Sequence, residues 1–367
     1  MPTIRKSTTL LAQGEVAAPS MVSTGGKQVT SEVARGEALV VANVIAAAGT
    51  VVKKSVRAEL GPCSADVPLI LVNGRDPGPR LTIVAGVHAS EFVGVEASLR
   101  TAEALDPARM SGQVVICPVA NPPAFFGRTV GGSPLDARNM NRLFPGDESG
   151  SPTARLAAFL FDNLIKGSDA YLDLHSGEVV EDLSPFVAYR QTGQDVLDSQ
   201  TAELAHAYGL RDVLVGTIAA GGNSHAAASR VGVRALLVEI GAGGSREEHH
   251  VTAAVDGILR IARRLGILSG SLDPVPTQEW RWAGEAKSPI DGMWFPRVAV
   301  GEEIVEGQVL GYVTDLVGEE GIEIVAPCCG RIFYGLRSLS MARGDTLAAI
   351  ATPDGCCNGV IPGEGQS

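Results

Sequence analysis

A chain of 367 residues is longer than a single compact core usually needs, so we expect two domains. Hydrophobic residues make up 45% of the chain and charged residues 19%, a balance typical of globular α/β proteins and unlike that of disordered or fibrous chains. The formal net charge of −11, without a cluster of Lys and Arg, argues against a surface that binds nucleic acid or anionic membranes.

The apolar segments and the cysteines indicate the compartment. The longest uncharged apolar stretch, residues 38–52, is too short to span a bilayer, and no basic-then-apolar leader with a cleavage site begins the chain. The six cysteines are Cys63, Cys117 and two adjacent pairs, Cys328-Cys329 and Cys356-Cys357, with no C-x-x-C spacing. We therefore expect free thiols, a cytoplasmic protein and no membrane partner.

Short apolar runs and helix-like stretches alternate along most of the chain. Residues 1–55 have no clear period and form an N-terminal segment that we leave unassigned. Strand-length runs follow at residues 81–87, 114–119, 170–174, 213–218 and 235–238. Helix-like stretches separate them at residues 91–105, 153–164 and 246–265. This alternation predicts a parallel or mixed sheet covered by helices on both faces, that is, a three-layer α/β domain.

The pattern changes at about residue 274, where short alternating strands and many glycines replace the helical period. Two segments there share P-x-x-G followed by a glycine and a β-branched run, similar to the small sandwiched barrels of biotinyl and lipoyl carrier domains. We therefore expect a catalytic domain at residues 56–273, a smaller all-β domain of barrel-sandwich type at 274–355, and a tail at 356–367.

Several predicted strands end in a polar side chain. The residues at or just after these ends are His88, Asn121, His175 and Glu239. Because ligands of open α/β sheets bind beyond the carboxyl ends of the strands, we expect these side chains to share one rim.

His88 and Glu91 form an H-x-x-E motif at a strand-to-helix turn, and His175 could supply a third donor. Two His and one Glu, with a position left open for water, are a common ligand set of catalytic zinc. The motif alone is weak, because His88 could bond a loop and Glu91 could cap a helix.

The segment Leu-Asp-Ala-Arg-Asn-Met-Asn-Arg-Leu-Phe-Pro-Gly is rich in amide and guanidinium groups. Asn139, Asn141 and Arg142 form a fork-shaped set of donors that suits a carboxylate, and Arg128 is a second permanent cation. A solvated loop would have the same composition.

Taken together, the motifs resemble the succinylglutamate desuccinylase and aspartoacylase family of zinc carboxypeptidase-like hydrolases. The resemblance runs from about residue 81 to 244 and rests on GVHASE, NPPAFFGR, NMNRLFPG, YLDLHSG and LLVEIG, in the family's order. It implies a zinc carboxypeptidase-like fold for the catalytic domain.

The resemblance also implies a role for each polar strand end. His88, Glu91 and His175 would bind one Zn²⁺ per chain, and Glu239 would act as the general base. A metal lowers the pKa of bound water, and a nearby carboxylate can take the proton and later deliver it to the leaving amine.

The remaining family roles fall on the amide-rich segment and its neighbour. Arg128 would polarise the scissile carbonyl, and Asn141 with Arg142 would hold a substrate carboxylate. Asn139 stands where many members have Asp, and it could still orient His88 through a hydrogen bond.

These features predict a zinc-dependent amidohydrolase that removes an acyl group from a small N-acyl amino acid. A carboxypeptidase acting on short peptides, a zinc-containing binding protein without catalysis, and an esterase remain as alternatives, and the enzyme could form a homo-oligomer. Glu178, Glu181 and Asp182 follow His175 closely. They form either a solvated acidic loop or a site for a substrate ammonium group.

Overall fold

A large mixed sheet carries the predicted strand ends. The computed structural model describes residues 38–218, 222–319 and 321–353. Its strands are β1 (Leu39–Val41), β2 (Val44–Ala46), β3 (Thr50–Glu59), β4 (Ser64–Asn73), β5 (Asp76–Ala85), β6 (Ser111–Cys117), β7 (Ala170–His175), β8 (Glu181–Leu183), β9 (Phe186–Gln191), β10 (Asp212–Thr217), β11 (Arg234–Glu239), β12 (Gln278–Lys287), β13 (Gly292–Pro296), β14 (Glu303–Ile304), β15 (Val309–Thr314), β16 (Ile322–Val325), β17 (Gly330–Leu336), β18 (Ser340–Met341) and β19 (Thr346–Pro353).

The helices interrupt the strands as the sequence pattern predicts. They are α1 (Phe92–Ala104), α2 (Pro122–Gly127), α3 (Pro152–Leu160), α4 (Asp195–Tyr208), α5 (Ser224–Arg230) and α6 (Glu248–Arg264). Short 3₁₀ turns occupy Pro107–Arg109 and Met140–Arg142, and a π-helical turn at Phe161–Ile165 continues α3. The five predicted strands and three predicted helices are all present, with ends shifted by a few residues.

Four neighbouring strands of the sheet run parallel. Within the described residues the sheet has the order β14-β17-β19-β12-β10-β9-β11-β7-β5-β6-β4-β3, with β8 paired to β17. β7 pairs in parallel with both β11 and β5, and β5 pairs in parallel with β6. The carboxyl ends of these four strands therefore open on one edge, as expected.

Helices cover both faces of these central strands. On one face α1, α4 and α6 pack over the apolar cluster that includes Ile83 and Ala85 of β5. On the other face α3 and α5 pack over a second cluster, which includes Val84. Alternate side chains of one strand thus enter opposite layers, because the strand is pleated. The predicted three-layer α/β class is confirmed.

The close fit of α1 against β7 depends on a glycine. A Cβ at Gly94 would lie 2.8 Å from Cβ of Leu174, closer than real Cβ contacts come. Gly94 therefore lets the first turn of α1 sit directly on the end of β7, next to the residues that precede the helix.

The C-terminal region is all-β, as predicted. A separate sheet with the order β16-β15-β13-β18 shares an apolar core with strands of the large sheet. β12 pairs in parallel with β10 and antiparallel with β19, so hydrogen bonding continues from the α/β part of the sheet into this region. All described residues belong to one unit by their contacts. The domain boundary at residue 273/274 stays a prediction.

The N-terminal and C-terminal segments were assigned only in part from sequence. Residues 1–37 of the N-terminal segment and the tail 356–367, with Cys356 and Cys357, lie outside the described residues. Strands β1 to β3 occupy part of the segment left unassigned. The edge strand β3 buries only Ala58 fully, and Val52 and Val56 on the same face pack partly buried against the core, so its apolar face is a weak signal in the sequence.

Two other expectations can be compared with the structure. Cys63, Cys117, Cys328 and Cys329 are free thiols, as expected. No helix in residues 38–218, 222–319 or 321–353 has the length and apolar character that a bilayer crossing requires.

His225 lies in a different place from the one its sequence context suggests. The Gly- and Ser-rich neighbourhood favours a rim loop, with a structural role as the favoured interpretation of this histidine. His225 instead lies on α5 and is 1% exposed, which agrees with a structural role but not with a rim loop. The alanines that follow it are buried as well, because small side chains let α5 pack closely against the sheet. Its Nε2 accepts a hydrogen bond from Nε of Arg190 at 3.2 Å. Burial, with Arg190 adding to it, lowers the pKa of His225 to about 3.

We predict that His225 makes the protein acid-labile. His225 binds a proton near pH 6.5 in the unfolded chain but only near pH 3 in the folded chain. Its contribution to the free energy of unfolding is therefore complete above pH 6.5 and declines as the pH falls below that value. His225→Gln keeps an acceptor for Arg190 but cannot titrate. Its free energy of unfolding, measured by denaturant titration, should fall less than that of the wild type between pH 6.5 and 4, by up to about 3 kcal/mol. Identical pH slopes for the two proteins would contradict this assignment.

Candidate metal centre and active site

The three predicted metal ligands meet at the carboxyl edge of the parallel strands. His88 follows the end of β5, Glu91 is the residue before α1, and His175 is the last residue of β7. Because β5 and β7 are neighbours, the turn after β5 lies beside the end of β7. The ligand atoms of the three side chains all lie within 4.8 Å of one another.

Glu91 lies between the two histidines. Its Oε1 is 2.7 Å from Nδ1 of His88, and its Oε2 is 2.7 Å from Nδ1 of His175. The side chains of Glu91 and His175 are 4% and 1% exposed, whereas that of His88 is 16% exposed. Solvent therefore reaches the group from the His88 side.

The electrostatics of the group favour a cation. Burial lowers the pKa of His88, but the Glu91 carboxylate outweighs it and raises the pKa to about 9. Burial also opposes protonation of His175, yet Asp173 and Glu91 raise its pKa well above the usual value. Burial raises the pKa of Glu91, but the two imidazoles bring it down to about 2. When no metal is bound, these pKa shifts favour protonated histidines in contact with an ionised Glu91.

The donor set fits a divalent transition metal. Two imidazole Nδ1 atoms and a carboxylate point at one position, and the buried carboxylate already requires positive charge there. A metal ion would replace the protons on the two Nδ1 atoms, as metal binding to histidine generally does.

The far nitrogens of both histidines also have partners. Nε2 of His88 lies 3.0 Å from Oδ1 of Asn139, the contact expected for Asn139. Nε2 of His175 lies 3.0 Å from Oδ1 of Asp173, which the sequence reasoning missed. Asp173 precedes His175 by two positions on β7, so both side chains project from the same face of the strand. The D-x-H spacing was the available signal.

Asn141 is buried and bonded within the protein. Its Oδ1 accepts from the backbone N–H of Ser224 at 2.9 Å, and its Nδ2 lies 3.2 Å from Nε2 of His175. Both ends of the amide thus have protein partners, and the expected contact with a substrate carboxylate stays a prediction.

Glu239 ends β11 directly beside the end of β7. It is in register with His175 across the parallel strand pair. Its Oε2 is buried and has no hydrogen-bond partner among the described residues. Burial raises the pKa of Glu239 well above its usual range; His175 opposes this, while Glu91 and Glu181 add to it. A buried carboxyl group with a raised pKa beside a possible metal site is typical of groups that exchange protons in active sites.

The two predicted cations are exposed on loops. Arg128 ends α2 in the left-handed conformation, with φ 52°. Arg142 lies in the 3₁₀ turn beside Asn141, and its Nη1 donates to the Asn141 carbonyl at 3.1 Å. Their contacts with substrate stay predictions.

The acidic residues after His175 divide into two kinds. Glu178 is buried and accepts from Oγ of Ser90 at 3.2 Å and from N–H of Gly131 at 2.8 Å. Glu181 accepts from N–H of Glu178 at 3.0 Å. Asp182 is half-exposed and lies 3.6 Å from Arg337. Glu178 and Glu181 thus lie inside the protein, close enough to His88 and Glu91 to interact with them electrostatically, and Asp182 lies nearer the surface.

Comparisons with known proteins identify the family of the chain. A family model, the succinylglutamate desuccinylase/aspartoacylase catalytic domain, matches residues 77–265. The N-alpha-acetyl-L-2,4-diaminobutyric acid deacetylase of Halomonas elongata is 30% identical over 294 residues, covering 78% of this chain and 85% of that protein.

Two solved structures share the fold. A succinylglutamate desuccinylase/aspartoacylase from Rhodobacter sphaeroides superposes with a TM-score of 0.75 at 24% identity, covering 83% of this chain and 96% of that one. The product-bound ectoine utilization protein EutE (DoeB) from Ruegeria pomeroyi superposes with a TM-score of 0.76 at 23% identity, covering 82% of this chain and 95% of that one.

The matched region contains the whole ligand group and Glu239. The resemblance seen in the sequence motifs is thereby confirmed, and the chain belongs to the succinylglutamate desuccinylase/aspartoacylase family.

Proposed function

We propose that the protein is a zinc-dependent amidohydrolase that removes the acyl group from a small N-acyl amino acid. The observation that carries the proposal is the convergence of His88 and His175 on Glu91. On the adjacent strand end, one carboxyl oxygen of Glu239 has no hydrogen-bond partner in the described part of the chain. A metal site without catalysis needs no such carboxylate, which favours an enzyme over a binding protein.

His88, Glu91 and His175 would hold the zinc ion. Zinc bound there would lower the pKa of a water molecule and polarise the scissile carbonyl. This is the usual chemistry of zinc with two His ligands, one Glu ligand and an open position.

Glu239 handles the protons of the reaction. In its ionised form, which a cation bound at the neighbouring ligand group would favour despite the burial, the carboxylate takes a proton from the attacking water as the new C–O bond forms. It then gives the proton to the leaving nitrogen as the C–N bond breaks, so the products are a carboxylate and a free amine. Arg128, an exposed cation on the rim, stabilises the oxyanion that develops between these two steps.

An N-acyl diamino acid is the first substrate to assay. The Halomonas elongata relative is a deacetylase of N-alpha-acetyl-L-2,4-diaminobutyric acid, which carries a second amino group. Glu178 and Glu181 give the wall of the cleft a negative charge that is compatible with such a group. N-acetylaspartate and N-succinylglutamate, which lack it, are the matched comparisons.

We predict that Glu239→Gln abolishes turnover and retains the metal. Gln has the shape of Glu but cannot accept a proton, so amine release from zinc-loaded protein should fall by about 100- to 10,000-fold. Metal content is measured on the same preparation, and His88→Ala is the control that should lose both metal and activity. Full turnover in Glu239→Gln would remove this residue from the mechanism, and loss of its metal would make it a ligand instead.

We also predict that Arg142 binds a carboxylate of the substrate. Arg142→Lys keeps the charge but loses the two-pronged geometry. The transition-state stabilisation calculated from kcat/KM should therefore fall by about 1.5–3 kcal/mol. Arg142→Ala should fall further.

Substrate amides provide the control for this prediction. Amidation of the substrate carboxylate should reduce kcat/KM strongly for the wild type and little for Arg142→Ala, because the partner is already absent. Equal hydrolysis of the free acid and the amide by the wild type would refute a carboxylate anchor and favour an esterase or a neutral amidase.

A further inference from the structure

Beneath the metal centre lies a chain of buried hydroxyl and carboxyl groups that the mechanism does not use. Tyr171, Asp173 and Ser224 are all 0% exposed. The hydroxyl of Tyr171 donates to Oγ of Ser224 at 2.9 Å, and Oγ of Ser224 donates to Oδ2 of Asp173. Asp173 in turn reaches Nε2 of His175 through its other oxygen, 3.0 Å away.

Two groups compete for Nε2 of His175. Asp173 can only accept a proton from it, whereas Nδ2 of Asn141, 3.2 Å away, can only donate one. If Nε2 carries the proton, the carboxylate of Asp173 stabilises it at the ion-pair distance of 3.0 Å, and the lone pair of Nδ1 is free for a metal. If Nε2 is bare, it accepts from Asn141, and the proton sits on Nδ1, where the metal should bind.

Ser224 contacts both competitors. Its hydroxyl donates to Asp173, and its backbone N–H donates to Oδ1 of Asn141 at 2.9 Å. It is the first residue of α5, but the recorded bonds of its side chain go to Asp173 and Tyr171 instead of to its own helix. The neighbouring Gly222 accepts from N–H of Phe144, which ties the same segment to the turn that carries Asn141.

We propose that Ser224 is a positioning residue for the metal centre, which acts through Asp173 to keep the proton of His175 on Nε2 and the lone pair of Nδ1 directed at the metal. The proposal rests on the proposed function, because it takes His175 as a ligand. Without the Ser224 hydroxyl, Asp173 loses the hydrogen bond to its Oδ2, while Asn141 keeps its bond from the Ser224 backbone N–H. The equilibrium between the two tautomers of His175 then moves toward the one with the proton on Nδ1, which cannot bind metal there.

The direct test is the metal affinity of Ser224→Ala. Zinc affinity, measured by competition with a chelator, should fall by about 10- to 100-fold, the usual effect of losing a group that orients a ligand. The visible spectrum of the Co²⁺-loaded variant should differ from that of the wild type, because the ligand geometry changes.

Two variants separate positioning from a merely structural role. Tyr171→Phe removes a hydroxyl from the same buried chain but leaves the bond between Ser224 and Asp173, so its metal affinity should stay within about threefold of wild type. Ser224→Thr keeps the hydroxyl and should retain the wild-type affinity and spectrum, and it supplies the comparison if Ser224→Ala does not fold.

The outcomes are distinct. Wild-type affinity and spectrum in folded Ser224→Ala, or equal losses in Ser224→Ala and Tyr171→Phe, would overturn the proposal. If Ser224→Ala does not fold, a folded Ser224→Thr with a tenfold or larger loss of affinity would overturn it as well, by the same estimate of about 10- to 100-fold. A wild-type protein that binds no metal would instead refute the proposed function.

Discussion

A single buried carboxylate, Glu91, clamped between two imidazoles, is the interaction on which the rest of the site depends. Its two oxygens bond Nδ1 of His88 and Nδ1 of His175, each at 2.7 Å. A charge buried this deeply is stable only with an opposite charge in contact, and here either protons or a metal ion can supply it. The site is therefore built for a cation before any substrate is considered.

The sheet supplies the geometry that this clamp needs. β5 and β7 are parallel neighbours, so the turn after one strand lies over the end of the next. β11 adds Glu239 in register with His175 on the other side of β7. Two solved structures with less than a quarter of identical residues share this fold. In open α/β sheets the strand order decides which loops meet at the carboxyl edge.

Much of this arrangement could be predicted from sequence, for identifiable reasons. Apolar runs without charges mark strands buried on both faces, and the polar residue after each run marks the rim. The edge strand β3 was missed because Lys54 interrupts the face that Val52, Val56 and Ala58 share. Ser224 could not be found from sequence, since α5 brings it to Asp173 from 51 residues away along the chain. His225 was misplaced for the same reason: only the packing of α5 buries it.

The central claim is that Nδ1 of His88, Nδ1 of His175 and Glu91 bind one metal ion. Anomalous diffraction at the zinc absorption edge, from crystals of the zinc-loaded protein, tests it most directly. We expect one strong peak about 2.0–2.1 Å from both Nδ1 atoms and in contact with the Glu91 carboxylate. A peak bonded to Nε2 of either histidine would contradict it. So would a peak only at the exposed group of Glu247, His249 and His250, with none at Glu91.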